Sequence, residues 1–301
     1  MTRTSSREAR STAQAHARAG LIASEYSLVG LGASALLMTL LLSLLSDVGG
    51  LQLLRPGLAA SAGLLGCGAA ISVVGRWLDL GGSRRQADLA RLWWPMITGA
   101  LLGACGSLLA LHRAAQIREA AERVLWPVPL LGLFLALGAV AMVVLAALAL
   151  RSLLAVTGGP VLPVVQLWQA TTHALLGGAS LVAFIGLFAD AMPRGLQVYV
   201  ATGICVMCGH AALAATWLLH RSRQRVRLLR AAGVRVHLVE RGHALAAATL
   251  LLGVVVPGLI VLAHLLLSRD VPLLPACLIL AFSNHPMRYA FVLLPGELHF
   301  S

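Results

Sequence analysis

The stretch Leu130-Leu131-Gly132-Leu133-Phe134-Leu135-Ala136-Leu137-Gly138-Ala139-Val140-Ala141-Met142-Val143-Val144-Leu145-Ala146-Ala147-Leu148-Ala149-Leu150 contains no charged residue, and Arg151 follows it at once. Twenty consecutive apolar residues in a helix span roughly 30 Å, the thickness of a bilayer's hydrocarbon core. Seven more runs of this kind flank it, so that apolar stretches cover residues 27–46, 57–75, 95–112, 127–150, 166–189, 197–219, 244–266 and 273–291. The chain has 11 acidic and 23 basic residues, and of these only Arg288 falls inside the eight windows. A charge at bilayer depth costs at least about 2.5–3.5 kcal/mol on insertion scales, which explains the exclusion.

Composition agrees. Of 301 residues 59% are hydrophobic and 11% charged, against about 45–50% and about 25% in soluble domains; the mean hydropathy is +0.87. Ordinary soluble enzymes, disordered chains and coiled coils are excluded. So are outer-membrane barrels, which show short alternating segments. The expected fold class is all-α: a polytopic integral membrane protein of eight transmembrane helices. Residues 1–25 read as a polar cytoplasmic tail, disordered or lying along the interface, 26–292 as the membrane domain and 293–301 as a short C-terminal tail. The tail lacks the apolar stretch and cleavage site of a secretory signal.

Every basic residue is Arg, and the formal charge is +12. In a soluble chain this would point to nucleic acid; here the arginines cluster between apolar runs, where anionic lipid and the positive-inside rule account for them. Counted on alternate sides of eight spans, 17 arginines lie on one side and six on the other. The arginine-rich side is expected to be cytoplasmic, with both termini inside, in the inner membrane. Spans one to four and five to eight each carry a long basic loop between their second and third members, which predicts two four-helix bundles of equal orientation.

The five cysteines, Cys67, Cys105, Cys205, Cys208 and Cys277, all lie in apolar runs and read as small packing residues. Cys205 and Cys208 form a CxxC at lipid depth, away from any redox βαβ pattern. His112, His173, His210 and His264 also lie in or at the ends of spans. Two of them on facing helices, His173 and His210, are candidate ligands of a b-type haem; interhelical hydrogen bonding is the plainer role.

The segment Arg76-Trp77-Leu78-Asp79-Leu80-Gly81-Gly82-Ser83-Arg84-Arg85 leads on to Arg91-Leu92-Trp93-Trp94-Pro95. Its tryptophans form an aromatic belt at the headgroups. An amphiphilic aromatic slot with ionisable groups also suits a quinone head, whose reduction takes two protons with two electrons. The segment 220–243 reads as a basic interfacial helix, in which Arg221, Arg223, Arg225 and Arg227 meet anionic lipid or an acidic partner. A transporter would place ionisable residues near the midplane, whereas Asp47, Asp79, Asp190 and Asp270 sit at span ends.

Three patches resemble the DmsC-type membrane-anchor subunits of the dimethyl sulfoxide reductase family of molybdopterin oxidoreductases. After the second span, Leu78-Asp79-Leu80-Gly81 with Arg85 is similar to the family's His-Leu-Gly and following basic residue. After the fourth, Gly159-Pro160 leads to Thr171-Thr172-His173-Ala174-Leu175-Leu176-Gly177, where the family has Pro, then Thr and Leu-Leu-Gly. In the last, Ser283-Asn284-His285-Pro286-Met287-Arg288-Tyr289-Ala290-Phe291-Val292 resembles Gly-Glu-x-x-Gly-Arg-x-x-Phe-Tyr, matching at Arg288 and Phe291. The family's histidine is replaced by Asp79, and its acid early in the third span is missing around Thr98 to Leu101. The resemblance implies a non-catalytic anchor partnering an iron–sulfur subunit and a molybdopterin catalytic subunit. Quinone (ubiquinone or menaquinone) would meet Asp79, Arg76, Trp77, Arg85 and Arg288, and the partner would dock through Arg84, Arg91, Arg221, Arg223, Arg225 and Arg227. With the arginine count, it further implies a cytoplasm-facing complex resembling the sulfite-oxidising members.

Overall fold

A computed structural model describes residues 2–45, 50–79, 87–119, 127–156, 163–190, 192–231, 237–267 and 273–296. Among these there are helices and a tight turn, and no strand. Lipid offers no partner to a backbone N–H or C=O, so a run of apolar residues satisfies itself by forming a helix. The helices are α1 (Thr2–Leu45), α2 (Gly50–Asp79), α3 (Ala87–Glu119), α4 (Pro127–Val156), α5 (Pro163–Phe188) and α6 (Arg194–Ala231). Then follow α7 (His237–Leu250), a π-helical turn (Leu251–Val255), α8 (Val256–Leu267) and α9 (Leu273–Gly296). Seven helical stretches are long and apolar enough to cross a membrane: Ala23–Leu42, Leu53–Gly75, Trp94–His112, Leu131–Leu148, Leu167–Phe188, Arg194–Arg221 and His243–Leu267. The protein is an all-helical, multi-pass membrane protein. The last apolar run, 273–291, falls within α9.

Two helices run on past their apolar stretches. Residues 2–22, the polar N-terminal segment, are helical and continuous with the first span. Likewise the segment after Arg221 is the continuation of α6 to Ala231. Arg, Ala and Gln are good helix formers, so helical hydrogen bonding runs on past the point where the apolar run stops.

The surface is inverted relative to a soluble protein. Large apolar side chains such as Leu102 (73% exposed) and Phe188 (77% exposed) point outward, while Ser34, Ser61, Ser107 and Thr39 are buried. A contiguous apolar exterior of this extent is a lipid-facing one. Buried hydroxyls are mostly answered within their own helix: Ser61, Ser72 and Ser107 each donate to the carbonyl four residues back, at 2.7–2.9 Å.

Helix α1 packs against α2, α4, α5 and α9, α2 against α3, and α3 against α4. Helix α5 packs against α6 and α9, α6 against α8, and α9 against both α7 and α8. Small residues set the closest approaches. A Cβ added to Gly68 would lie 2.7 Å from Val29, and one at Gly178 would lie 2.5 Å from the backbone carbon of Ser34. At that second seam Ser34 Oγ donates to the carbonyl of Ala174 at 2.5 Å, tying α1 to α5.

Pro257, which lacks an N–H, follows the π turn and interrupts the helical ladder of the seventh span. The α5–α6 turn is tight. Asp190 adopts φ 50°, a left-handed helix end that Asp tolerates better than most residues, and Gln197 Nε2 donates to the Met192 carbonyl at 2.8 Å.

A buried polar cluster at the arginine-rich end

The cluster is built around the one charge inside an apolar run. Arg288, on α9, is 2% exposed. Its guanidinium donates to the carbonyl of Tyr26 on α1 and, at 3.5 Å, to that of Ala170 on α5. Gly30 makes room for it, since a Cβ there would sit 2.9 Å from Nη2 of Arg288. Tyr26 is three residues into the first span and Ala170 three residues into the fifth. At 1.5 Å per residue, both lie about 5 Å inside the arginine-rich end. Guanidinium holds five donors in a planar fork and is more weakly hydrated than ammonium, so it is the cation best suited to burial against carbonyl dipoles. Nearer the surface, Ser24 Oγ and His285 Nε2 are hydrogen-bonded at 2.9 Å, again joining α1 to α9.

On α5, Gln169, Thr172 and His173 are buried beside Ala170. His173 is 2% exposed and makes a hydrogen bond to the backbone of Ala211 on α6. The Ala211 carbonyl is the acceptor, because the Ala211 N–H is used within its helix. Nε2 of His173, Nε2 of Gln169 and Oγ of Ser27 have no hydrogen-bond partner among the described residues. Buried polar atoms are almost always partnered, since each one left unmade costs about 1–3 kcal/mol. Chemically this is a charged, donor-rich buried cluster within the first two turns of the lipid-embedded region, where α1, α5, α6 and α9 meet.

An aromatic belt marks the same end. Trp94 and Trp168 are exposed at the starts of α3's and α5's spans. Near the end of α6's span, Trp217 receives the Arg221 guanidinium 5.2 Å above its ring. Beyond it Arg223 and Arg227 are exposed on the α6 extension, and Val226 packs inward near Ala246, Met287 and Ala290.

Of the expected quinone residues, Arg288 is in the buried cluster. Arg76, Trp77 and Asp79 form part of the last turn of α2, but their side chains, together with Arg85, lie outside the described residues. The same holds for Arg84 and for the side chains of Arg91 and Arg225. The two candidate haem ligands have different surroundings: His173 is enclosed, whereas His210 is exposed and meets Trp168 edge-on, with ring centroids 5.9 Å apart. Among the described residues no group of three His, Cys, Asp or Glu could hold a metal ion. Gln169 and Ser27 were not singled out from the sequence. The signal available was Gln169 one helical turn before His173, in a polar start (Gln166, Gln169, Thr171, Thr172, His173) to an apolar run.

No known protein family matches this chain, and neither a curated protein nor a solved structure matches it.

Proposed function

We propose that this chain is the quinone-reactive anchor subunit of a molybdopterin/iron–sulfur oxidoreductase. Eight spans in two four-helix bundles would be held in the inner membrane, with both termini cytoplasmic. The packing order supports the bundles: α1 to α4 neighbour one another in a ring, as do α5, α6, α7–α8 and α9, and α1 joins the two groups through α5 and α9. Helix α9 supplies the eighth span. It is 24 residues long, and its one charge, Arg288, is buried and donates to the carbonyls of Tyr26 and Ala170.

The observation that carries the functional reading is the buried Arg288 at the arginine-rich end. An intramembrane ionisable residue is expensive and is characteristically functional, and Arg288 is also the residue that matches the anchor-family pattern in the last span. Quinone would bind on this side, between the Arg288 cluster and the α2 end that carries Arg76, Trp77, Asp79 and Arg85. Asp79 would exchange protons with it, and Arg84, Arg91, Arg221, Arg223, Arg225 and Arg227 would dock the iron–sulfur subunit. The chain itself would be non-catalytic. The molybdopterin subunit would oxidise a sulfur oxoanion such as sulfite, and electrons would pass through the iron–sulfur clusters to quinone.

The experiment is purification from native membranes followed by turnover with quinone and with an artificial dye. A brown, iron-containing partner is expected to copurify. Asp79→Asn is expected to slow quinone-coupled turnover while leaving dye-linked turnover intact. A chain purified without any iron-containing partner refutes the anchor reading; unchanged quinone turnover in Asp79→Asn refutes the role of Asp79.

A further inference from the structure

Three buried side-chain atoms on α5, Gln169 Nε2, His173 Nε2 and Ser180 Oγ, lack a hydrogen-bond partner among the described residues. Helical residues advance about 100° each. Gln169 and Ser180, eleven residues apart, are therefore only about 20° apart around the axis, and His173 lies within about 40° of both. One narrow stripe of α5 thus carries three unanswered polar groups over about 16 Å of rise, starting two residues inside the span at Leu167. Each of the three side chains is more than nine-tenths buried. Ser61, Ser72 and Ser107 donate to carbonyls of their own helices, whereas Ser180, like Ser27 on α1, does not.

We propose that this stripe is a water-binding site: water enters the second helix group at the arginine-rich end and is held between Gln169 and His173. Side chains one turn apart stand about 5–6 Å from each other, and two hydrogen bonds of about 2.8 Å through one water cover that gap. The chemistry is complementary. With Nδ1 of His173 donating to Ala211, Nε2 is the acceptor, and the Gln169 amide nitrogen is a donor. One water oxygen accepts from Gln169 and donates to His173, giving the two polar partners a buried water requires. Leu176 lies on the same face between His173 and Ser180 and is fully buried, so it separates the inlet from the deeper serine. The inlet brings the aqueous phase to within one turn of Arg288 without opening the far side of the membrane. It does not depend on what the protein binds.

The test is radiolytic hydroxyl-radical labelling of the full chain in lipid nanodiscs, read by mass spectrometry. Radicals form from bound water, so a buried side chain touching water is oxidised while a dry one is spared. His173 is expected to be labelled within about tenfold of the exposed His220, because a bound water is as good a radical source as bulk. Met96, equally enclosed but in the apolar core of α1 to α4, is the dry control and is expected to stay unmodified. In Gln169→Leu, which removes one of the two partners, labelling of His173 is expected to fall by about tenfold or more. His173 as unreactive as Met96 in the unmodified protein would overturn the proposal, and so would undiminished labelling in Gln169→Leu.

Discussion

Gly178→Ala is the sharpest perturbation of the seam between α1 and α5. The new methyl would meet Ser34 Oγ, and would lie 2.5 Å from the Ser34 carbonyl carbon and 2.6 Å from Ala35 N, where ordinary contact begins at 3.4 Å. Two of these atoms are backbone and cannot rotate away, so α1 and α5 must part by about 0.9 Å. That displacement stretches the 2.5 Å Ser34–Ala174 hydrogen bond to about 3.4 Å, near the limit of a useful bond. Overpacking of this kind costs about 1–3 kcal/mol, and an interhelical hydrogen bond in a membrane protein contributes about 0.6 kcal/mol on average. Against this, Ala is the better helix former by up to about 1 kcal/mol. Gly138→Ala isolates that last effect, because a Cβ at Gly138 has no neighbour within 4 Å. The expected difference between the two variants is therefore about 2–4 kcal/mol, with Gly138→Ala neutral or stabilised. Unfolding by denaturing detergent in mixed micelles measures it. Equal stabilities for Gly178→Ala and Gly138→Ala would refute the close α1–α5 seam and, with it, the packing of α1 against both helix groups.

Three further outcomes are expected. Arg288→Lys should destabilise the protein more than Arg288→Met in thermal unfolding, because an ammonium cannot reproduce the fork to the Tyr26 and Ala170 carbonyls and remains a buried charge, while Met needs no solvation; the reverse order would show that charge itself, not its geometry, matters there. Trp217→Leu removes the cation–π contact with Arg221 while keeping an apolar side chain against the cluster of Val226 and Met287, and should cost about 1 kcal/mol in the same detergent titration. A reporter fused after Ser301 should be active only in the cytoplasm, since the arginine-rich side is expected to be retained there; activity confined to the periplasm would invert the orientation.

The helical runs were legible in the sequence because lipid imposes a single solution on an apolar stretch: each of the eight runs lies largely within a helix, as Leu131–Leu148 does within α4. The helix ends were less legible. Hydropathy marks where lipid stops, whereas helical hydrogen bonding continues through residues such as Arg227 and Gln224 that favour helix in water as well. Arg288 was visible as the lone charge in a run, but its surroundings were not. Tyr26 stands 262 residues away and Ala170 stands 118 away, and no local pattern connects positions so distant. Gln169 carries no local signal of its own, because with Gln166 it stands at the start of an apolar run, where amides mark a boundary until their neighbours are known.

Solvent preference is a property of residues taken in short windows, which is why the chain alone determined that it is helical, apolar on its outside and richer in arginine on alternate turns. Which helix faces which, and which polar groups are thereby shut in together, depends on contacts between segments far apart in the chain. Only the folded arrangement decided that Arg288, His173 and Gln169 share one enclosed corner, because close approach at Gly30 brings α1, α5 and α9 together there.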